Sequence, residues 1–409
     1  MQIYLDYSAT TPPRAEAIAA MKKAMEQQWG NSSSLHHWGN RAATMLERSR
    51  QQVADLINAA NPASIVFTAG GSEANNLALF GVTRQFNEPQ HLIVSAVEHS
   101  AVSAPASYLE TKGWQVTRLP VNAVGAVDPI QLQAALKPNT ALVSVIYGQS
   151  EVGTLQPIAE IADILSTHPA RFHTDAVQVA GRLPINVQQL GVDFLSLSSH
   201  KIYGPQGAGA LYIRENYIRE KSDIKETIGA IQPIIFGGGQ ELGVRSGTQS
   251  IPNIVGFGVA AELAATDMPT ETPRLIALRD RLFSLMASTS DLKSTGDARY
   301  RLPHHVSFCL PSVQNDLSIS PKQTALTGKA IVRQMNLAGI GISAGSACHS
   351  GKLSPSPILK AMGYSDTVAK SGIRLTLGRQ TTQADIDWCA IALKQILARN
   401  RPVPSPMAV

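Results

Sequence analysis

Val192-Asp-Phe-Leu-Ser-Leu-Ser-Ser-His-Lys-Ile-Tyr-Gly-Pro-Gln-Gly207 reads as a buried strand that runs out into Ser198, His200 and Lys201 and then into a Gly/Pro turn. A lysine at the lip of an apolar strand is unusual, because burial disfavours its charge and shifts it toward the neutral, nucleophilic amine. Taken alone, Lys201 is better explained as a side chain that snorkels to solvent, so its neighbours decide the matter. Working outward, short apolar runs of the same kind recur at Ser64–Thr68, His91–Ser95, Ala141–Tyr147 and Ala210–Ile213. Between them, Leu46, Val53, Leu56 and Ile57 share one helical face, and helical periods cover Ser72–Arg84, Ser100–Lys112 and Ile158–Thr167. This alternation predicts an α/β fold with a largely parallel sheet under helices, which places ligands at the C-terminal ends of the strands.

Three further stretches carry chemistry. Ile65-Val-Phe-Thr-Ala-Gly-Gly-Ser-Glu-Ala-Asn-Asn76 passes from a strand through two glycines into a helix, whose free N–H groups and positive dipole end suit a phosphate. Alone it is a common glycine turn, and it matches neither the dinucleotide nor the P-loop fingerprint. Arg171-Phe-His-Thr-Asp-Ala-Val-Gln178 sets Asp175 at a strand end, where a carboxylate can keep a ring nitrogen protonated or simply cap a helix. Ile342-Ser-Ala-Gly-Ser-Ala-Cys-His-Ser-Gly351 puts Cys348 among small residues, the opposite of where a structural cysteine goes; a nucleophilic role needs help from His349, another base or a cofactor. Cys309 and Cys389 read as core packing. Phosphate cradle, ring-nitrogen carboxylate and strand-end lysine, in that order, are the parts a pyridoxal phosphate site requires.

The 409 residues are 44% hydrophobic and 16% charged, enough for a sizeable core and against disorder. A net charge of +5 without single-sign blocks argues against nucleic-acid binding. Three distant cysteines exclude a disulfide framework or a zinc ribbon, and no metal site is expected. The N-terminus does not read as a signal peptide, and the apolar stretch Ile251–Ala265, broken by Asn253 and Glu262, is too short to span a membrane. A cytoplasmic protein is expected. After about residue 265 the texture changes to a polar helix over Thr272–Ser288, strands at Val306–Leu310 and Ile373–Leu377, and a closing helix opened by Thr382-Gln-Ala-Asp385, a variant of the capping box. These predict a second, smaller α+β domain.

The sequence resembles the cysteine desulfurases of the NifS/IscS type, within the class V aminotransferases. The resemblance runs from Tyr4-Leu-Asp-Tyr-Ser-Ala-Thr-Thr-Pro12 to about Arg399 and rests on Gly30-Asn-Ser-Ser-Ser-Leu-His36, Glu98-His99, His173-Thr-Asp-Ala-Val-Gln178, Ser198-Ser-His-Lys201, Gly237-Gly-Gly-Gln-Glu241, Arg245-Ser-Gly-Thr248, Gly345-Ser-Ala-Cys348, Arg374 and Gly378-Arg379. It implies an aspartate aminotransferase-like fold with a mostly parallel seven-stranded sheet. The implied division is a large domain over 15–262 and a small one made of 1–14 and 263–409, with the cysteine loop at about 340–352. It further implies that Lys201 holds pyridoxal phosphate covalently, Asp175 pairs with the ring nitrogen, His99 stacks on the ring and Gln178 bonds the ring oxygen. Gly71, Ser72, Ser198 and His200 would hold the phosphate, Ser150 would contact the ring oxygen or substrate, and Thr248 would reach the phosphate of a second subunit in a homodimer. Arg374 and Asn31 would bind L-cysteine. Lys201 would take the α-proton, His99 would move the thiol proton, and Cys348 would receive the sulfur as a persulfide, releasing alanine and passing sulfur to an acceptor or scaffold protein.

The chain departs from the family pattern in places. Gln149-Ser-Glu-Val-Gly153 stands where relatives carry two asparagines, and Ala69-Gly-Gly-Ser72 replaces Gly-Ala-Thr. The stretches Glu215–Ile231 and Gln314–Lys329 are longer than usual. Rival readings are a selenocysteine lyase, another class V lyase or transferase, and a weakly active paralogue that binds partners.

Overall fold

The structure, a computed structural model, describes residues 2–217, 231–290, 292–311, 326–345 and 354–400. Cys348, the tail from 401, and most of the two long stretches lie outside the described residues. After a short strand β1 (Ile3–Tyr4), seven strands build one sheet: β2 (Ile65–Thr68), β3 (His91–Ser95), β4 (Gln115–Leu119), β5 (Thr140–Ser144), β6 (Arg171–Asp175), β7 (Phe194–Ser198) and β8 (Gly209–Ile213). Their order is β2-β8-β7-β6-β5-β3-β4, and only β8 runs against the rest.

Successive residues of these strands enter different cores. Ile65 and Phe67 face one cluster while Val66 faces the other, and Ile93 alternates likewise with Leu92 and Val94. Burial on both faces is why the strands read as unbroken apolar runs. Helices Gly71–Thr83 and Ser100–Thr111 cover one face; helices His37–Leu56 and Ile158–Leu165 cover the other. β4 escaped the sequence reading because it is a half-exposed edge, Gln-Val-Thr-Arg-Leu, without an apolar run. The ladder of β5 ends at Ser144, short of Tyr147, and the Ile146 N–H donates to the Glu98 carboxyl instead (2.7 Å).

A second core gathers Ile3 and Leu5 with β10 (His305–Cys309), β12 (Ile373–Thr376) and the helix Gln383–Arg399. β10 pairs antiparallel with β12 and with β9 (Lys293–Ser294); β1 pairs in parallel with β11 (Ile340–Gly341). The closing helix carries the expected capping box between Thr382 and Asp385. One expectation needs correcting: the apolar stretch from 251 and the polar helix of 272–288 form a single helix, Ile251–Met286. Its first half packs on the large sheet through Ile254, Val255 and Phe257, its second on the small core through Leu275, Leu278 and Leu282. The change of texture marks a change of packing partner. Pro269 and Pro273 are tolerated because both lie on the exposed face, where water can satisfy the carbonyls they free.

Candidate active site

A cleft of about 340 Å³ opens at the C-terminal ends of β3, β5, β6 and β7, and the small core closes one side of it with Arg374 of β12. β7 ends in a 3-10 turn over Ser199–Lys201, which delivers the lysine. The N-terminal segment laces along this turn. Thr11 accepts from Tyr203 N through its hydroxyl (2.7 Å) and donates that hydroxyl to the His200 carbonyl (2.8 Å). Tyr203 is thereby held at φ 67°, where few residues other than glycine sit. Lys201 Nζ donates to the Ser8 and Ala9 carbonyls, 2.7 Å each, and Gln178 Nε2 donates to the same Ser8 carbonyl (3.0 Å).

Asp175 closes β6 and is buried in the cleft floor. Its Oδ2 accepts from Asn75 Nδ2 (2.6 Å) and its Oδ1 from Val177 N (3.0 Å), an arrangement for an acceptor-only carboxylate. His173, two residues earlier, points elsewhere: it lies between Ser144 of β5 and Ser196 of β7, and burial drives it down to about 3, so it is a neutral strand pin. His200 is also neutral, lowered to about 4 by burial and by the Lys201 charge, with Nδ1 3.1 Å from Thr10 Oγ1.

At the opposite wall, helix Gly71–Thr83 begins without a side-chain cap, and its first two residues, Gly71 and Ser72, line the cleft. A Cβ on Gly71 would stand 2.8 Å from Val177 Cγ2, so a larger residue here requires the Val177 side chain to shift. Glu73 pins the turn from behind: its Oε2 accepts from Ala69 N (2.7 Å) and its Oε1 pairs with Arg245 (2.8 Å). His99 caps helix Ser100–Thr111, accepting from Ala101 N at Nδ1 (3.1 Å), which leaves the proton of a neutral ring on Nε2. Arg374 is buried, paired with Asp6 (2.7 Å) and donating to the Ser150 carbonyl (2.9 Å).

Lys201, His99, Gly71, Ser72, Ser150, Asp175, Gln178, Ser198, His200 and Arg374 therefore line one cleft. Asn31 and Thr248 do not line it; both are exposed on this chain. Ser150 meets Arg374 and His305 through its carbonyl, and the Gln149 amide folds into its own turn, accepting from Glu151 N and Val152 N. Cys309 and Cys389 are buried, with thiols pushed up to about 11 and about 12, which leaves them inert.

Several lining groups lie in the quoted motifs but are assigned no role by the sequence: the Ser8 and Ala9 carbonyls, Asn75, Glu98 and Glu151. Burial raises the Glu151 carboxyl, against Ser356 and Arg374, and a Cβ on Gly345 would lie 3.3 Å from its Oε1.

Residues 3–388 match the aminotransferase class-V family, and the chain belongs to it. It is 39% identical over 404 residues to "Cysteine desulfurase IscS" of Dictyoglomus turgidum, covering 98% of this chain and 96% of that protein. Among solved structures it is similar to a "NIFS-LIKE PROTEIN", with a TM-score of 0.85 and 29% identity over 98% of this chain and 100% of that one. It is also similar to "SspA in complex with cysteine", with a TM-score of 0.76 and 33% identity over 92% and 99%. Among the described residues, no helix is long and apolar enough to cross a membrane.

Proposed function

We propose that the protein is a pyridoxal phosphate-dependent cysteine desulfurase, which removes sulfur from L-cysteine, releases L-alanine and passes the sulfur on from Cys348. The observation that carries this reading is the convergence of Lys201, Asp175, His99 and Arg374 on one cleft, drawn from both cores. The residues fit the cofactor. Gly71, with Ser72, Ser198 and His200, would hold its phosphate; Asp175 would hold the ring nitrogen, Gln178 the ring oxygen, and Lys201 the covalent link. When bound, pyridoxal phosphate supplies an electron sink for charge that develops at the substrate α-carbon.

The chain's own groups do the rest. Asn75 and Val177 fix the Asp175 carboxylate so that it can keep a proton on the ring nitrogen. Arg374, aligned by Asp6 and Ser150, presents a guanidinium to the substrate carboxylate. The Lys201 amine, once released, is the base for the α-proton, and the Ser8 and Ala9 carbonyls receive its ammonium form. His99, proton on Nε2, is placed to move a proton to or from the substrate thiol. The Cys348 thiolate forms a bond to the substrate sulfur as the carbon–sulfur bond breaks; the electron pair stays with the three-carbon fragment, which takes up a proton and leaves as alanine.

The same reading makes 15–262 the cofactor-binding unit and 1–14 with 263–409 the smaller unit that brings Cys348. It also makes the protein a cytoplasmic homodimer in which Thr248 serves the neighbour's phosphate and Asn31 the substrate, with a sulfur-acceptor or scaffold protein as partner and no membrane or nucleic acid involved. Incubation of the purified protein with pyridoxal phosphate, L-cysteine and a thiol reductant tests the function. Alanine and sulfide should appear in equal amounts; alanine without sulfide, or neither, defeats the reading.

A further inference from the structure

Three buried carboxyls line the cleft, Glu98, Glu151 and Asp175, and of these only Asp175 has a task. Glu98, 6% exposed, follows β3 and reaches over the end of β5. Its Oε1 accepts twice, from Ser95 Oγ (2.5 Å) and from Ile146 N (2.7 Å). Its Oε2 is buried without a hydrogen-bond partner among the described residues, on a residue that lines the cleft. A carboxylate with one bare buried oxygen beside a second carboxylate is a costly arrangement, whereas a carboxylic acid suits it: the carbonyl oxygen takes both donors and the hydroxyl keeps a proton to donate. Burial, reinforced by the Asp175 charge and opposed by the bonds from Ser95 and Ile146, pushes Glu98 up to about 8. Asp175 instead has N–H donors on both oxygens. Paired groups in such unlike surroundings divide into an acid and an anion.

We propose that Glu98 is a positioning residue for the cofactor: a neutral carboxylic acid whose Oε2 hydroxyl donates into the cleft and which leaves Asp175 as the single negative charge set against the protonated ring nitrogen. This inference rests on the pyridoxal phosphate reading above. A second full charge beside Asp175 would overbalance one ring proton, and a missing donor would leave the ring edge unheld.

The test combines infrared difference spectroscopy with cofactor titration of Glu98→Gln and Glu98→Ala, each variant first checked for a wild-type unfolding midpoint in urea. Wild-type protein at neutral pH should show a protonated-carboxyl band that disappears in Glu98→Gln and shifts when pyridoxal phosphate is added. Glu98→Gln, which keeps an acceptor and a donor without charge, should bind pyridoxal phosphate within about threefold of wild type, while Glu98→Ala should bind at least about tenfold more weakly. Absence of the band at neutral pH, a band unmoved by the cofactor, or Gln as damaging as Ala each overturns the proposal. If Glu98→Ala proves too unstable to titrate, the infrared shift in wild type decides. Wild-type protein that shows the band but takes up no pyridoxal phosphate defeats the parent reading, a result distinct from the others.

Discussion

Lys201 Nζ stands 2.7 Å from the carbonyl oxygen of Ser8, a residue 193 positions earlier whose own N–H donates to Thr376 of the small core (2.9 Å). The lysine of the large sheet is thus held by a segment sewn to the other core. Ser8 Oγ extends the link to His304 (3.1 Å), which is neutral because burial and nearby arginines lower it well below its usual range.

Arg374 gives the clearest split between binding and folding. Arg374→Lys keeps the charge but loses the two-pronged fork, so the KM for L-cysteine should rise roughly tenfold or more with a smaller change in kcat. Arg374→Ala leaves Asp6 without its partner and should also cost about 3–5 kcal/mol in urea unfolding. An unchanged KM in Arg374→Lys would remove Arg374 from substrate recognition.

Ser150→Asn should leave steady-state activity within about threefold of wild type. The contacts that Ser150 makes to Arg374 and His305 run through its carbonyl, which any residue supplies. A large fall would show that the hydroxyl itself has a task.

Glu73→Ala should weaken pyridoxal phosphate binding about tenfold, because the turn before Gly71 loses its anchor and Arg245 its partner. Fluorescence titration of cofactor-free protein reads this directly, and Arg245→Ala should give a smaller effect in the same direction.

The three cysteines should separate sharply. Cys348→Ala should keep cofactor binding and lose sustained sulfide release, whereas Cys309→Ala and Cys389→Ala should keep turnover and lose about 1–2 kcal/mol of stability. Undiminished sulfide from Cys348→Ala would rule out the persulfide step.

His173 makes stability pH-dependent in a defined sense. Its folded-state value, about 3, lies below the ordinary 6.5, so its contribution is complete above 6.5 and is lost as pH falls toward 3. From pH 7 to pH 5 this one residue should cost about 2 kcal/mol of unfolding free energy. His173→Gln should flatten that slope; an unchanged slope would assign it to other groups.

How far the molecule could be read in its sequence follows from where each piece of information lies. Lys201 is legible because it follows an apolar strand and Asp175 because it stands at a strand end, and most of the strands because burial on both faces makes them continuous. Glu98 was not legible, since its meaning comes from Ile146, 48 residues on, and from an unpaired oxygen that only packing creates. The reach of Ser8 to Lys201 is likewise a tertiary fact. Only the second half of the long helix is legible as a helix, because its two halves bury against different cores, and residue type reports the partner more strongly than the continuity of the backbone.

The most direct test of the site is to add pyridoxal phosphate, reduce the protein with borohydride, digest it and find the tagged peptide by mass spectrometry. The expected result is one phosphopyridoxyl group on the peptide that carries Lys201, absent from Lys201→Ala. A tag on a different lysine, or none on protein that releases sulfide from L-cysteine, would contradict the placement of the cofactor in this cleft.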